Sequence, residues 1–198
     1  AGDVIVEIGP GQGALTFPLL RRHGELTAIE FDRDLHAPLQ AAAREHGRLH
    51  LIEGDVLGVD FTALAAARGD AKHQIRLVGN LPYNLSSPIL FHALDHAPAI
   101  RDMHFMLQKE VIERMASGPG SKVYGRLSVM LQAYCTVTPL FTVPPGAFRP
   151  APKVDSAVVR LIPIPPERIN VADRQVFAGV VRAAFGQRRK TLRNALKG

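Results

Sequence analysis

An α/β fold, with a mostly parallel sheet and helices on both of its faces, is predicted by three observations. Short apolar runs alternate with helical patterns, a glycine-rich turn follows the first run, and the last two runs are joined by a stretch too proline-rich for a helix. Residues 4–8, 26–30, 49–52, 75–79 and 103–107 have the length and apolar content of buried strands. Between them, residues 14–22, 35–45, 61–68 and 89–94 place apolar side chains at helical spacing. Repeated β-α-β units imply parallel strands, which need cover on both faces. Residues 109–115 and 127–134 read as further helices, and residues 136–143 and 157–162 as two more strands. The segment 144–156 between those strands leaves no room for a crossover helix, so an antiparallel hairpin is the simplest connection. Five parallel strands and this hairpin make a seven-stranded sheet. The tail, residues 171–185, returns to helical spacing and leads into Gln187-Arg188-Arg189-Lys190-Thr191-Leu192-Arg193.

The 198 residues, 46% of them apolar, suffice for one domain with a substantial core. Lys and Arg number 24 against 18 Asp and Glu, a formal charge of +6 that favours an anionic partner such as nucleic acid. No apolar run reaches the ~18 residues of a membrane span. The chain opens on Ala1-Gly2-Asp3 without a basic and apolar leader, which reads as cytoplasmic. The single cysteine, Cys135, is expected to be a small buried side chain near a strand. Eight histidines, including His92 and His96 at helical spacing, lack a companion pattern such as H-E-x-x-H, so no metal site is expected and packing is the preferred reading. No Walker lysine follows the glycine turn.

The stretch Asn80-Leu81-Pro82-Tyr83 sets an amide, a proline-restricted backbone and an aromatic ring directly after a strand. An exocyclic amino group on a base is a weak nucleophile because its lone pair is delocalised into the ring. Two acceptors aimed at its N–H bonds pull the nitrogen toward tetrahedral geometry and return the lone pair. Asn80 offers a side-chain oxygen, and the Leu81 or Pro82 carbonyl can turn inward because the residue before proline is held extended. Tyr83 supplies a face for stacking, which is worth roughly 1–3 kcal/mol per base on such platforms. The plainer reading is a strand, a turn at Asn80–Pro82, and a helix opening at Ser86-Ser87-Pro88 with Ser as N-cap.

The first strand carries a second constellation, Glu7-Ile8-Gly9-Pro10-Gly11-Gln12-Gly13. A glycine turn between strand and helix lets a ligand approach the backbone and aims helix N–H groups at an anion. Glu30 closes the next strand, where an acid commonly accepts ribose hydroxyls, and Asp55 follows the third strand, where it could accept from an adenine amino group. Three successive strand ends thus address one nucleoside. Gly9-x-Gly11-x-x-Ala14 also satisfies a relaxed dinucleotide fingerprint, so a nicotinamide-dependent dehydrogenase stays open on these residues.

Taken together, these motifs resemble those of S-adenosylmethionine-dependent methyltransferases acting on adenine amino nitrogens, and more narrowly the small-subunit ribosomal RNA adenine N6,N6-dimethyltransferases. Met106-Leu107-Gln108-Lys109-Glu110-Val111, Tyr124-Gly125-Arg126-Leu127-Ser128-Val129, Phe148-Arg149-Pro150-Ala151-Pro152-Lys153-Val154-Asp155-Ser156 and the basic tail carry the resemblance nearly end to end. It implies a Rossmann-like class I methyltransferase domain over residues 1–185. Residues 186–198 would begin a basic helical region most of which lies outside this chain. It further implies S-adenosylmethionine as donor, with Glu7, Gly9, Gly11 and Gly13 near its methionine part, Glu30 on the ribose, Asp55 on the adenine, and Asn80 between donor and target. Tyr83 and Phe148 would flank the target adenine, with the loop around Phe148 as a strap beside the site. Arg149, Lys153, Arg188, Arg189, Lys190 and Arg193 would contact RNA. The implied reaction places two methyls on each of two adjacent adenines near the 3′ end of small-subunit RNA, by a monomer working in ribosome biogenesis. Family members also carry an amino-terminal Asn- and Leu-containing motif and a helical carboxy-terminal domain, so the chain is expected to be a fragment. The open alternatives are a large-subunit RNA methyltransferase of the antibiotic-resistance type and a non-catalytic RNA-binding assembly factor.

Overall fold

The computed structural model describes residues 2–68, 72–82, 84–187 and 190–197. Strands β1 (Ile5–Ile8), β2 (Glu25–Glu30), β3 (Arg48–Glu53), β4 (Ile75–Asn80), β5 (Ile100–Gln108), β6 (Cys135–Val143) and β7 (Ser156–Pro163) form one sheet in the order β3-β2-β1-β4-β5-β7-β6. The first five are parallel, and β7 runs antiparallel to both of its neighbours. The expected hairpin therefore forms, and its second strand is the one that docks on β5, with Met103 opposite Leu161. Pro139 explains the choice. It lies in β6 beside an irregularity in the pairing, and a residue without an N–H is tolerated at a sheet edge but not between two partners.

Helices α1 (Thr16–His23), α2 (Arg33–Ala43), α3 (Phe61–Arg68), α4 (Ser86–Asp95), α5 (Lys109–Ala116), α6 (Arg126–Gln132), α7 (Arg174–Gly186) and the short α8 (Leu192–Ala195) complete the chain. Strand alternation sends Val6, Ile8, Leu77, Phe105, Leu107, Val159 and Leu161 to one face, where they meet Phe61, Leu90, Ile112, Leu131 and Val181 of the helices. A smaller cluster of Leu20, Leu26 and Ala43 lies under α1 and α2 on the other face. Helix ends are closed locally: Asp32 accepts from the Asp34 N–H at 3.0 Å, and Asp173 from Gln175 and Val176 at 2.8 and 2.9 Å. Arg21, Arg22 and His23 occupy the last turn of α1, where cations complement the helix dipole.

One expected cap is corrected. Residue Leu85, without a side-chain bond, caps α4, and Ser86 lies inside the helix and is buried. Burial took the serine, because the turn after Pro82 already aims the Leu85 carbonyl at the Ile89 N–H (3.0 Å). Cys135 is buried at the start of β6, and burial pushes its thiol up to about 12. His92 and His96 pack on Phe61, with ring centroids 5.2 and 5.7 Å away, while His92 donates to the Val59 carbonyl at 2.8 Å.

Candidate active site

The strand order reverses between β1 and β4, and in open parallel sheets ligands bind at the carboxyl ends beside such a switch. The register brings the ends level: Ile8 lies opposite Ile29 and Gly79, Glu30 opposite Glu53, and Asn80 opposite Met106. The glycine loop, Glu30, Asp55 and Asn80 thus share one edge. β1 and β4 approach closely there, since a Cβ on Gly79 would stand 2.6 Å from the Ile8 carbonyl oxygen.

Glu30 is buried and holds the loops around it. One carboxylate oxygen accepts the Gly11 N–H at 3.0 Å and the other accepts the Asp32 N–H at 2.9 Å. Gly11 reaches this position with φ of 54°, in the left-handed region that glycine tolerates. A carboxylate has about four lone-pair sites, so Glu30 retains capacity for two hydroxyls. Its own carbonyl is bonded by His36 at 3.0 Å, a contact that sequence reasoning did not anticipate.

Next to Glu30 opens a cavity of about 250 Å³ lined by Gly9, Glu30, Phe31, Asp55, Leu57 and Pro82 among others. Its floor is apolar, from Ile8, Ile29 and Ile89, and Phe31 stands 74% exposed at the rim. One Asp55 oxygen accepts the Leu57 N–H at 2.9 Å, which fixes a carboxylate whose remaining acceptor sites face outward. This largely apolar slot, lined by Glu30 and Asp55 together with Phe31 and Leu57, has the residue types that could hold an adenosine. Phe31, Leu57 and Leu85 were missing from the sequence-based site; the only signal was an aromatic directly after the strand-end acid.

Glu7 stands apart from that cavity. It is 2% exposed, accepts the Thr16 hydroxyl at 2.7 Å, and burial raises its carboxyl to about 7. Gly11 and Gly13 also lie outside the cavity lining; Gly13 closes the turn by donating to the Pro10 carbonyl at 2.9 Å.

Asn80 ends β4 with an exposed side chain. Leu81 is buried, and its N–H donates to the Met106 carbonyl at 3.1 Å. The Pro82 carbonyl is engaged by the Leu85 N–H at 3.1 Å, which leaves the Leu81 carbonyl as the better acceptor beside Asn80. Tyr83, Arg188 and Arg189 lie outside the described residues. Phe148 is half-buried in the segment linking β6 to β7. That segment meets the same edge, because Ser156 pairs with Gln108 and the Lys109 N–H donates to the Asp155 carbonyl at 2.9 Å. Arg149 and Lys153 on it are exposed, as are Lys190 and Arg193 near α8. Among the described residues no group of three or more His, Cys, Asp or Glu side chains is placed to hold a metal ion, and no helix is long and apolar enough to cross a membrane.

A seven-stranded sheet of this order, with a slot lined by two acids at its switch point, defines a Rossmann-like class I methyltransferase. The chain belongs to the ribosomal RNA adenine dimethylase family, whose description matches residues 1–198. A ribosomal RNA small subunit methyltransferase A of Xanthomonas euvesicatoria pv. vesicatoria (strain 85-10) is 74% identical over 196 residues, 99% of this chain and 73% of that protein. Among solved structures, a dimethyladenosine transferase from Plasmodium falciparum superposes with a TM-score of 0.81 at 31% identity, covering 99% of this chain and 68% of that one. The 23S rRNA methyltransferase ErmE gives 0.75 at 26% identity, with 98% and 75% covered.

Proposed function

We propose that this chain transfers methyl groups from S-adenosylmethionine to N6 of two adjacent adenines near the 3′ end of small-subunit ribosomal RNA, acting in the cytoplasm during subunit biogenesis. The observation that carries the reading is the placement of Asn80 at the end of β4, one strand from the glycine loop and level with the slot framed by Glu30 and Asp55. The small-subunit name of the 74% identical relative supports this target over a large-subunit one.

The donor supplies, when bound, a sulfonium methyl that is already strongly electrophilic. Alignment is then the main task, and positioning of this kind can lower a barrier by roughly 7–11 kcal/mol at best. Glu30 and Asp55 hold the two ends of the adenosine, and Gly9 lets its loop lie close. Asn80 Oδ1 and the Leu81 carbonyl accept the two N6 hydrogens, which localises the nitrogen lone pair toward the methyl. Tyr83 and Phe148 sandwich the adenine, which must be unpaired or flipped to reach them. No strong base is needed, because the N6 proton is lost after the methyl arrives. The pocket must then admit N6-methyladenine, with one acceptor still engaged.

The test is incubation of unmethylated small subunits with labelled S-adenosylmethionine and the protein, followed by mass spectrometry of the RNA. Dimethyladenine at two adjacent positions is expected. Label confined to large-subunit RNA would favour the antibiotic-resistance type, and RNA binding without label a non-catalytic assembly role.

A further inference from the structure

A second and larger cavity, of about 650 Å³, lies away from the donor slot between the start of α4, α5, the start of α6 and the end of α7. Its volume falls within the roughly 300–1,000 Å³ typical of ligand sites. Phe91, Tyr124 and Phe185 line it together with Arg114, Lys122 and Arg126. Tyr124 and Phe185 meet edge to face, with centroids 6.0 Å apart. Three cations face one carboxylate, Glu110, which pairs with Arg114 at 3.2 Å; Arg126 is exposed.

The wall carrying Tyr124 and Arg126 is built rather than loose. The fully buried Ser128 hydroxyl donates to the Arg114 carbonyl, accepts the Gly125 N–H at 3.1 Å and lies 3.1 Å from the Ser117 hydroxyl. Gln132 donates to the Met115 and Ser117 carbonyls, both at 2.8 Å. These bonds fasten the loop before α6 to the end of α5 and explain the run Tyr124-Gly125-Arg126-Leu127-Ser128, which the methyl-transfer chemistry leaves unused. Ser87, at the start of α4 just past the Asn80 loop, also lines the cavity, so the two sites are neighbours along the chain.

Aromatic faces with interspersed cations are what an unpaired nucleotide requires: a surface for the base and positive charge for its phosphate. We infer that this cavity holds an unpaired nucleotide flanking the target adenines, its base against Tyr124 and its phosphate on Arg126 and Arg114. The inference rests on the RNA reading above and deepens it. A flanking nucleotide anchored here sets which adenine of a pair enters the methylation site, and makes single-stranded context a requirement.

The test measures binding, by fluorescence anisotropy, of a single-stranded oligoribonucleotide carrying two adjacent adenines, and of copies with one flanking base removed to leave an abasic ribose. Wild-type protein should lose roughly ten-fold in affinity when the base that occupies the cavity is missing. Tyr124→Ala should bind the intact RNA as weakly as wild type binds the abasic copy, with no further loss on the abasic copy. Arg126→Gln should flatten the salt dependence by about one phosphate contact. Donor affinity should stay at the wild-type value in both variants, which separates a local effect from unfolding. Additive losses from Tyr124→Ala and the abasic substitution would overturn the inference, as would affinity for naked RNA that neither substitution changes. If the RNA binds with this coupling but receives no methyl, the proposed activity fails and the nucleotide site stands.

Discussion

The carboxylate of Glu30 receives the backbone N–H of Gly11 at 3.0 Å, which ties the end of β2 to the loop after β1. With Asp32 donating to the second oxygen at 2.9 Å, both oxygens must be acceptors. An amide has one acceptor and would aim its NH₂ at a backbone N–H. Glu30→Gln is therefore expected to weaken S-adenosylmethionine binding at least about ten-fold, and to cost about 1–3 kcal/mol of stability for the unsatisfied donor. Calorimetric titration with the donor and a denaturant melt check both.

Gly79 faces the Ile8 carbonyl at a distance no Cβ tolerates, 2.6 Å. Gly79→Ala should force β4 away from β1 at the very end where Asn80 is proposed to face the donor. The expected outcome is a fall in kcat well beyond the rise in donor KM, measured by steady-state methylation.

In the proposed mechanism, Asn80→Ala removes one of two acceptors for the amino nitrogen. Loss of a preorganised polar group of this kind costs about 10²–10³ in kcat. Affinity for RNA should be largely intact, and full activity in the variant would sink the assigned role.

Buried Glu7 gives a pH dependence. Burial is the chief reason that its folded carboxyl is raised from the ordinary 4.5 to about 7. Below 4.5 both folded and unfolded chains hold the proton and stability is unaffected. Between the two values only the folded chain holds it, so stability falls with rising pH and the full cost is felt above about 7. Glu7→Gln keeps an acceptor for Thr16 without the charge. The Tm of this variant should match wild type near pH 4, exceed it increasingly up to about pH 7 and level off above, by something on the order of 3 kcal/mol in stability. A Tm difference independent of pH would refute the assignment.

Arg149, Lys153, Lys190 and Arg193 are exposed cations around the catalytic edge and the tail. Neutralising each to Gln should lower the slope of log affinity against log salt by about 0.7 per lost contact with single-stranded RNA, without altering donor binding. Filter binding across a salt series measures it.

Strand order was legible wherever local pattern and connection length decide it. Five alternating strand–helix units admit few arrangements, and the proline-rich segment at residues 144–156 forced a hairpin. The insertion of β7 between β5 and β6 was not spelled out locally, although Pro139 carried the hint. Strand-end acids could be read because each sits at a fixed offset from an apolar run, and the slot brings Gly9, Glu30, Asp55 and Pro82 together. Its hydrophobic walls could not. Phe31, Leu57 and Leu85 come from three separate loops, and nothing in their neighbourhoods distinguishes a wall from a stray surface side chain. The Ser128 clamp was hidden for a similar reason: its partners, Arg114 and Ser117, belong to a different helix and its exit.

The proline that confines β6 to the rim has an effect beyond topology. An edge strand offers unpaired N–H and C=O groups to any passing strand, a second copy of the same chain included. Pro139 leaves one residue of β6 without an N–H donor, and the pairing beside it is irregular. The rim of the sheet thereby presents a less regular template for β-sheet growth.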